Sequence, residues 1–538
     1  MTDQSLPRLS KIYLSQLFYS ALFLSAISLQ QATAQTPQAS DATVFHSETN
    51  LVFLDVTVLD KKNKPVTTGL TKDDFTIIED KSPQPIFSFE APEAHAFNKK
   101  SEEDNPDGKV PVTIFVLDLL NSDFQDASYL REHFAKYLAA QPSQLPAPAE
   151  LMVIGNDSLE MIQSYTRSRD QLLSALVHLH ASVPFKRNTS DFIIERVQQS
   201  IESLQQIVLQ NKGVPGRKNL IWIGHGAPTL DTAASAGGKL TQIKQYLHET
   251  ANMMVDARVT LYVIYPPTRL EKRSDFFAPT IGSADFAGRD PFGADVSFVD
   301  LVRETGGQLF YNRNDIDDEI KESETLGSKY YTLTYSPHKL ASDGRFKAIH
   351  IAMRNPDLHA VTKNGYFAPD NSVAADPRHK AVLTLGQAAL SPIPLTALDL
   401  KILKVVKFPE FGTAVLTVQV NTKNLDWHKD EDGKSSTNLY VASATMNDHK
   451  RMLASMFGKV TGVLRTQDPT VLAAADCEFT VTVRVPEKTR EVRLMMETED
   501  AGRIGTVDIS RNTIDAAPAR QAPATPPAAQ PSGAPGSH

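Results

Sequence analysis

The run Val112-Thr-Ile-Phe-Val-Leu-Asp118 constrains this chain more than any other stretch. Six uncharged residues, apolar on both faces but for one threonine, describe a strand covered on two sides, which belongs in the middle of a parallel sheet. The run stops at a carboxylate, and Leu119-Leu-Asn-Ser122 follows. Such a strand delivers Asp118, then a hydroxyl, to the carboxyl edge of an open α/β sheet, where these folds bind ligands.

The alternation continues downstream. Leu130, Phe134 and Leu138 share a helical face, Leu151-Met-Val-Ile154 is a strand, and Ile193, Val197, Ile201, Leu204 and Val208 stripe a longer helix. Asn219-Leu-Ile-Trp-Ile223 is a second buried strand; Leu240, Ile243, Leu247, Ala251 and Met254 stripe another helix before the strand Val259 to Tyr265. An irregular insertion runs from Pro266 to Asp295. A helix from Phe298 to Thr305 then stops at Gly306-Gly307, ahead of the strand-like Gln308 to Tyr311. Strands alternating with helices demand right-handed crossovers and cover on both faces. The fold class is therefore α/β, a doubly wound mostly parallel sheet.

On its amino side, Leu51 to Leu59, Phe75 to Glu79 and Ile86 to Phe89 form a small N-terminal β-unit over 45–90, too small to bury a core alone and so expected to pack on its neighbour. Residues 91–109 are charged and aperiodic, as a linker is. Lys329 to Pro337, Asp343 to Lys347, Ile349 to Ile351 and Gly365 to Phe367 read as a β-hairpin added to the α/β domain, which then spans 110–370. From 380 to 512 the period becomes two, through Thr413 to Val420, Leu439 to Ala444, Phe479 to Val485 and Val492 to Met496. That pattern predicts a C-terminal antiparallel β-sandwich. Residues 516–538 are rich in Ala and Pro without apolar periodicity and are expected to be disordered.

Arg8 and Lys11 precede the apolar-rich stretch Ile12 to Leu29, and Ala32-Thr-Ala34 supplies small residues for cleavage, so 1–34 read as a signal peptide. An uncleaved anchor is the alternative, but Ser15, Gln16, Ser20, Ser25 and Ser28 dilute the stretch too far for a spanning helix. The mature chain is expected to have no transmembrane segment. A single cysteine, Cys477, forbids an intrachain disulfide, which together with export points to the periplasm or cell surface of a Gram-negative bacterium. A net charge of −8 offers no basic footprint for nucleic acid.

Asp118 and Ser122 after one strand, Thr189 just before a long helix, and Gly224-His225-Gly226 after the next strand resemble a von Willebrand factor type A (VWFA) domain. With Asp60 to Pro65, Leu70 to Phe75 and the strands from Lys329 to Phe367, residues 45–370 resemble a VWFA-related domain family described from acidobacteria. The resemblance implies a divalent ion held by an Asp-x-Ser-x-Ser loop, a Thr and an Asp. Asp118, Ser122 and Thr189 match those metal positions, whereas Leu120 stands at the first Ser and His225 near the third-loop Asp. Magnesium demands near-ideal octahedral oxygen coordination, so water, Asn121, Asp123 or Asp126 would have to replace the lost donors. The expectation is a weak Mg²⁺ or other divalent site at most. The favoured reading is no cofactor, with Asp118 and Ser122 satisfying loop amides.

Nucleophile-elbow, zinc-helix, phosphate-loop and Cys-x-x-Cys motifs are all absent from the sequence. The expected role is that of an exported, non-enzymatic protein–protein interaction or adhesion-type protein with an unknown protein partner. The alternative is a hydrolase of an envelope polymer working in an Asp118/His225 cleft.

Overall fold

The computed structural model describes residues 51–95, 110–156, 158–179, 190–228, 238–266, 298–311, 313–337, 344–368, 376–429, 435–463 and 476–520. The signal peptide, Thr189, nearly all of the expected insertion and the chain beyond 520 lie outside these residues.

Four strands come first, β1 (Val52–Leu59), β2 (Phe75–Glu79), β3 (Ser82–Gln84) and β4 (Ile86–Glu90). The α/β domain follows as β5 (Val112–Asp118), α1 (Phe124–Ala140), β6 (Gln144–Ile154), β7 (Leu159–Ser168), α2 (Arg169–Val177), α3 (Ser190–Gln210), β8 (Lys218–Ile223), α4 (Gly238–Asp256), β9 (Val259–Ile264), α5 (Phe298–Glu304), β10 (Leu309–Phe310) and α6 (Ile316–Ser328). Its sheet runs β10-β9-β8-β5-β6-β7. All neighbours are parallel except β6 and β7. This is the doubly wound order, with the winding reversing between β5 and β8.

Both faces of the sheet are covered. Leu204 of α3, Leu247 of α4 and Leu301 of α5 share a core with Val116, Leu220 and Val263. On the other face Leu130 of α1, Leu172 of α2 and Ile320 of α6 share one with Phe115, Leu151 and Ile221. Every residue of β8 and β9 is buried, which is why these strands read as unbroken apolar runs. The antiparallel edge strand β7, LEMIQSYTRS, is half-exposed and mostly polar, so neither it nor α2 stands out in the sequence.

The remaining strands of the first half correct the expected boundaries. These are β11 (Tyr331–Tyr335), β12 (Phe346–Met353), β13 (His359–Val361) and β14 (Gly365–Phe367). They form no hairpin on the α/β sheet; they interleave with the N-terminal strands as two antiparallel sheets, β13-β1-β11-β4 and β14-β12-β2-β3. Leu54 pairs with Leu333 and Ile77 with Ile351, and Leu54, Val56, Ile77, Tyr331, Leu333 and Ile351 make one core between the sheets. The α/β domain therefore ends at α6, and the β-unit is assembled from segments on either side of it. The physical reason is that β1 needs partners along both edges, and the nearest N-terminal strands do not supply them. Within the expected linker, Pro92–His95 form a 3₁₀ turn that buries His95.

The C-terminal part opens with α7 (Pro377–Leu390), a helix in a region read as strands only. Then come β15 (Leu400–Phe408), β16 (Thr413–Asn421), β17 (His428–Lys429), β18 (Ser435–Met446), β19 (Met452–Val463), β20 (Asp476–Arg484), β21 (Glu491–Thr498), β22 (Ile504–Ser510) and α8 (Arg511–Ala516). One sheet is β15-β16-β20; in the other, β18 lies between β19 and β21, with β22 beyond β21. Leu416, Val418, Leu439, Val483, Leu494 and Met496 fill the space between them. Ala381, Leu385 and Ala388 of α7 join the same apolar cluster as α3, α4, Ala442 and Met495, so this unit is fused to the α/β domain through a shared core. Ala516 ends a helix and Ala519 bridges to Lys407, so the first residues of the expected disordered tail are ordered. No helix among the described residues is long and apolar enough to cross a membrane.

Candidate functional site

Asp118 ends β5 at the point where the winding of the sheet reverses, next to the end of β8. It is fully buried. Beyond it, the amides of Leu119 and Leu120 both donate to Ile154 O, at 3.0 and 3.1 Å, which folds the chain over the end of β6 and returns Asn121 toward the carboxylate. Asp118 Oδ1 accepts from Asn121 N–H at 2.9 Å and from Asn121 Nδ2 at 3.2 Å. Its Oδ2 accepts from Asn121 Nδ2 at 3.0 Å, from the Trp222 indole N–H at 3.0 Å and from Gly226 N–H at 2.8 Å. Asn121 is held in turn by Arg196, whose Nε donates to Asn121 Oδ1 at 3.1 Å. The buried charge is thus answered by oriented N–H groups from three loops and strands.

Backbone geometry makes this possible. Gly224 has φ of 144°, and a Cβ built there would lie 2.5 Å from Asp118 Cβ, so only glycine lets the two strand ends come this close. Gly226, with φ of 68°, faces the Phe298 ring at a similar separation.

The described residues do not fit a divalent ion. A cation at Asp118 would have to displace N–H donors that already occupy both oxygens. Leu120 is a buried apolar side chain, and His225 directs Nε2 to Asp126 Oδ2 at 3.1 Å. The residues expected to substitute as ligands are engaged as well: Asn121 with Asp118, Asp123 as the N-cap of α1 accepting from Asp126 N–H at 2.9 Å, and Asp126 with His225. Ser122 Oγ, in the same loop, is buried with no hydrogen-bond partner. Among the described residues no group of three His, Cys, Asp or Glu side chains is placed to hold a metal.

The hydrolase arrangement is not assembled either. His225 pairs with Asp126 and Ser122 Oγ has no hydrogen-bond partner, so among the described residues Asp118, Ser122 and His225 make no nucleophile–base contact of the kind acyl transfer uses. Beside His225, at 5.6 Å between rings, stands Tyr265, whose phenol is held well above its usual range by burial and then by the Asp118 charge. At the rim Phe124, the first residue of α1, is 73% exposed. Sequence reading brings Asp118, Ser122 and the Gly224-His225-Gly226 turn to one edge but misses Trp222 and Arg196. For Trp222 a signal existed, since an indole in a buried strand must find an acceptor for its N–H. Arg196 carries none.

No family model and no curated protein matches this chain. Among solved structures it is similar to the SpRpn10 VWA domain, at 14% identity over 40% of this chain and 96% of that one, with a TM-score of 0.21. It is also similar to proximal thread matrix protein 1 from the mussel byssus, at 10% identity over 42% and 48% with a TM-score of 0.25. A third is the manganese-loaded Plasmodium vivax TRAP protein, at 10% identity over 49% and 96% with a TM-score of 0.23. At such scores the fold assignment rests on the strand order and pairing described above.

Proposed function

We propose that this chain is an exported, non-enzymatic interaction protein that docks a protein partner on the carboxyl edge of its parallel sheet without a metal ion. Phe124 carries the reading: a large aromatic ring, 73% exposed, at the rim of the switch point where doubly wound sheets bind their ligands. Exposed aromatics anchor protein interfaces, and Phe124 stands on a helix fixed at its start by the Asp123 cap. Both β-units dock elsewhere. The N-terminal unit meets the amino end of the sheet through the Asp55–Arg258 ion pair, and the C-terminal unit meets the end of α3 through Lys212 and Glu497 at 2.8 Å. The signal-peptide pattern of residues 1–34 supports the periplasm or cell surface as its location.

The test is photo-crosslinking in the envelope from a probe at position 124, with a probe at Phe411, an exposed aromatic of the C-terminal unit, as reference. The expected result is one protein adduct from position 124, unchanged by chelator and absent from 411. Adducts that vanish on chelation, or that form at 411 and never at 124, would contradict the proposal.

A further inference from the structure

Toward the amino end of the parallel sheet, the three parts of the chain meet around a cavity of about 300 Å³. Ser88, Thr332 and Thr334 of the β-unit line one wall, Arg258 between α4 and β9 a second, and Arg503 in the turn between β21 and β22 a third. Each guanidinium is fixed by part of its donor set and keeps a remainder. Arg258 binds Asp55 through Nε, at 3.0 Å, and through Nη2, which also reaches Thr332 Oγ1 at 3.2 Å; no described residue accepts from Nη1. Arg503 gives Nε to Gly213 O at 3.0 Å and Nη1 to Asn424 O and Asp426 Oδ1, each at 3.1 Å; no described residue accepts from Nη2.

A third guanidinium adds to the positive field. Arg217, which follows the cavity-lining Pro215 and Gly216, is 2% exposed and pairs with no described carboxylate. It donates to Tyr262 Oη at 2.9 Å and Thr57 Oγ1 at 3.3 Å, lies 5.1 Å from the Tyr330 ring centroid, and its Nε has no partner. Against its burial, the Asp55 carboxylate is held down by the charge of Arg258 and also by that of Arg217, so the two guanidiniums share it. Asp55 is ion-paired with Arg258 and Asp426 with Arg503, and the Glu90 carboxylate, which lines the cavity together with His95, lies 3.9 Å from His95 Nε2.

We infer that this cavity binds a small oxyanion, a phosphate- or carboxylate-bearing molecule, between the free guanidinium edges of Arg258 and Arg503 and the hydroxyls of Ser88 and Thr334. Guanidinium forks match the planar geometry of such groups, and the volume sits at the small end of ligand sites. Because the walls come from all three parts of the chain, a bound anion ties them together and raises the unfolding temperature by linkage. The inference is independent of the carboxyl edge, which lies at the other end of the sheet.

The test uses the full mature chain, with calorimetry and thermal unfolding in titrations of inorganic phosphate and, separately, of succinate. One of the two is expected to bind saturably at a single site and to raise Tm with concentration, which identifies the head group. Ser88→Asp puts a carboxylate among the ligand's contacts and is expected to weaken binding by about tenfold or more, whereas the neutral Ser88→Asn keeps it within about threefold. The inference is overturned if neither anion binds, or if the Asp and Asn variants behave alike.

Discussion

The Trp222 indole N–H donates to Asp118 Oδ2 at 3.0 Å, tying the ends of the two central strands together through their side chains. Replacing Asp118 with Ala would leave that N–H, the Gly226 amide and the Asn121 amide as buried donors without an acceptor. At about 1–3 kcal/mol for each unsatisfied group, partly relieved by water, the expected loss is about 3–5 kcal/mol in urea unfolding. A loss below about 1 kcal/mol would mean that the carboxylate is no staple.

Glycine at 224 is expected to be irreplaceable. Gly224→Ala combines a φ of 144° with a contact of 2.5 Å to Asp118 Cβ and should cost more than about 2 kcal/mol. Gly386→Ala, inside α7 with open space around the added carbon, is the control and should stabilise by about 0.5–1 kcal/mol. Similar effects at both sites would sink the close-approach argument.

Glu150 gives the fold a pH dependence. Burial raises its pKa to about 8, partly offset by the Gln210 amide at 3.0 Å, so the folded chain holds a proton there that the unfolded chain releases above its ordinary value of 4.5. Its contribution is fully present below that value and is lost as pH rises toward 8. Between roughly pH 5 and 7 this one group should lower stability by about 1 kcal/mol per pH unit. Glu150→Gln should remove that slope in denaturant titrations at the two pH values. An unchanged slope would place the pH sensitivity elsewhere.

The interleaved β-unit predicts that a chain beginning at residue 97 does not fold cleanly. Without β1 and β4, the strand β11 loses both of its neighbours and exposes Leu333 and Tyr335, which are fully buried in the intact chain. Aggregation, or loss of a cooperative unfolding transition, is expected. A soluble, cooperatively unfolding monomer would restore the α/β domain as the self-sufficient piece.

How much of this was legible follows from burial. The parallel strands announce themselves because Val112–Asp118, Lys218–Ile223 and Val259–Ile264 are covered on both faces, and Gly306-Gly307 punctuates the helix before β10. The pairing of Leu54 with Leu333 left no mark, since a period-two strand specifies a face to bury and not the partner that buries it. The helix α7 was hidden among strand-forming segments. At the site, the strand periodicity placed Asp118 at the edge, but its hydrogen-bond partners depend on a loop, Asn121, and a side chain one strand away, Trp222, which spacing alone does not bring together.

Trp222 is also the reporter for the central claim, that protein N–H groups and not a cation satisfy Asp118. With Trp427, the only other tryptophan, changed to Phe, the emission of Trp222 reads the state of its bond to Asp118 directly. Titration with Mg²⁺ or Mn²⁺ to roughly 10 mM, above even weak divalent sites, should leave that emission unchanged. A saturable change, reversed by chelator, would mean that an ion takes the carboxylate from Trp222 and would contradict the account.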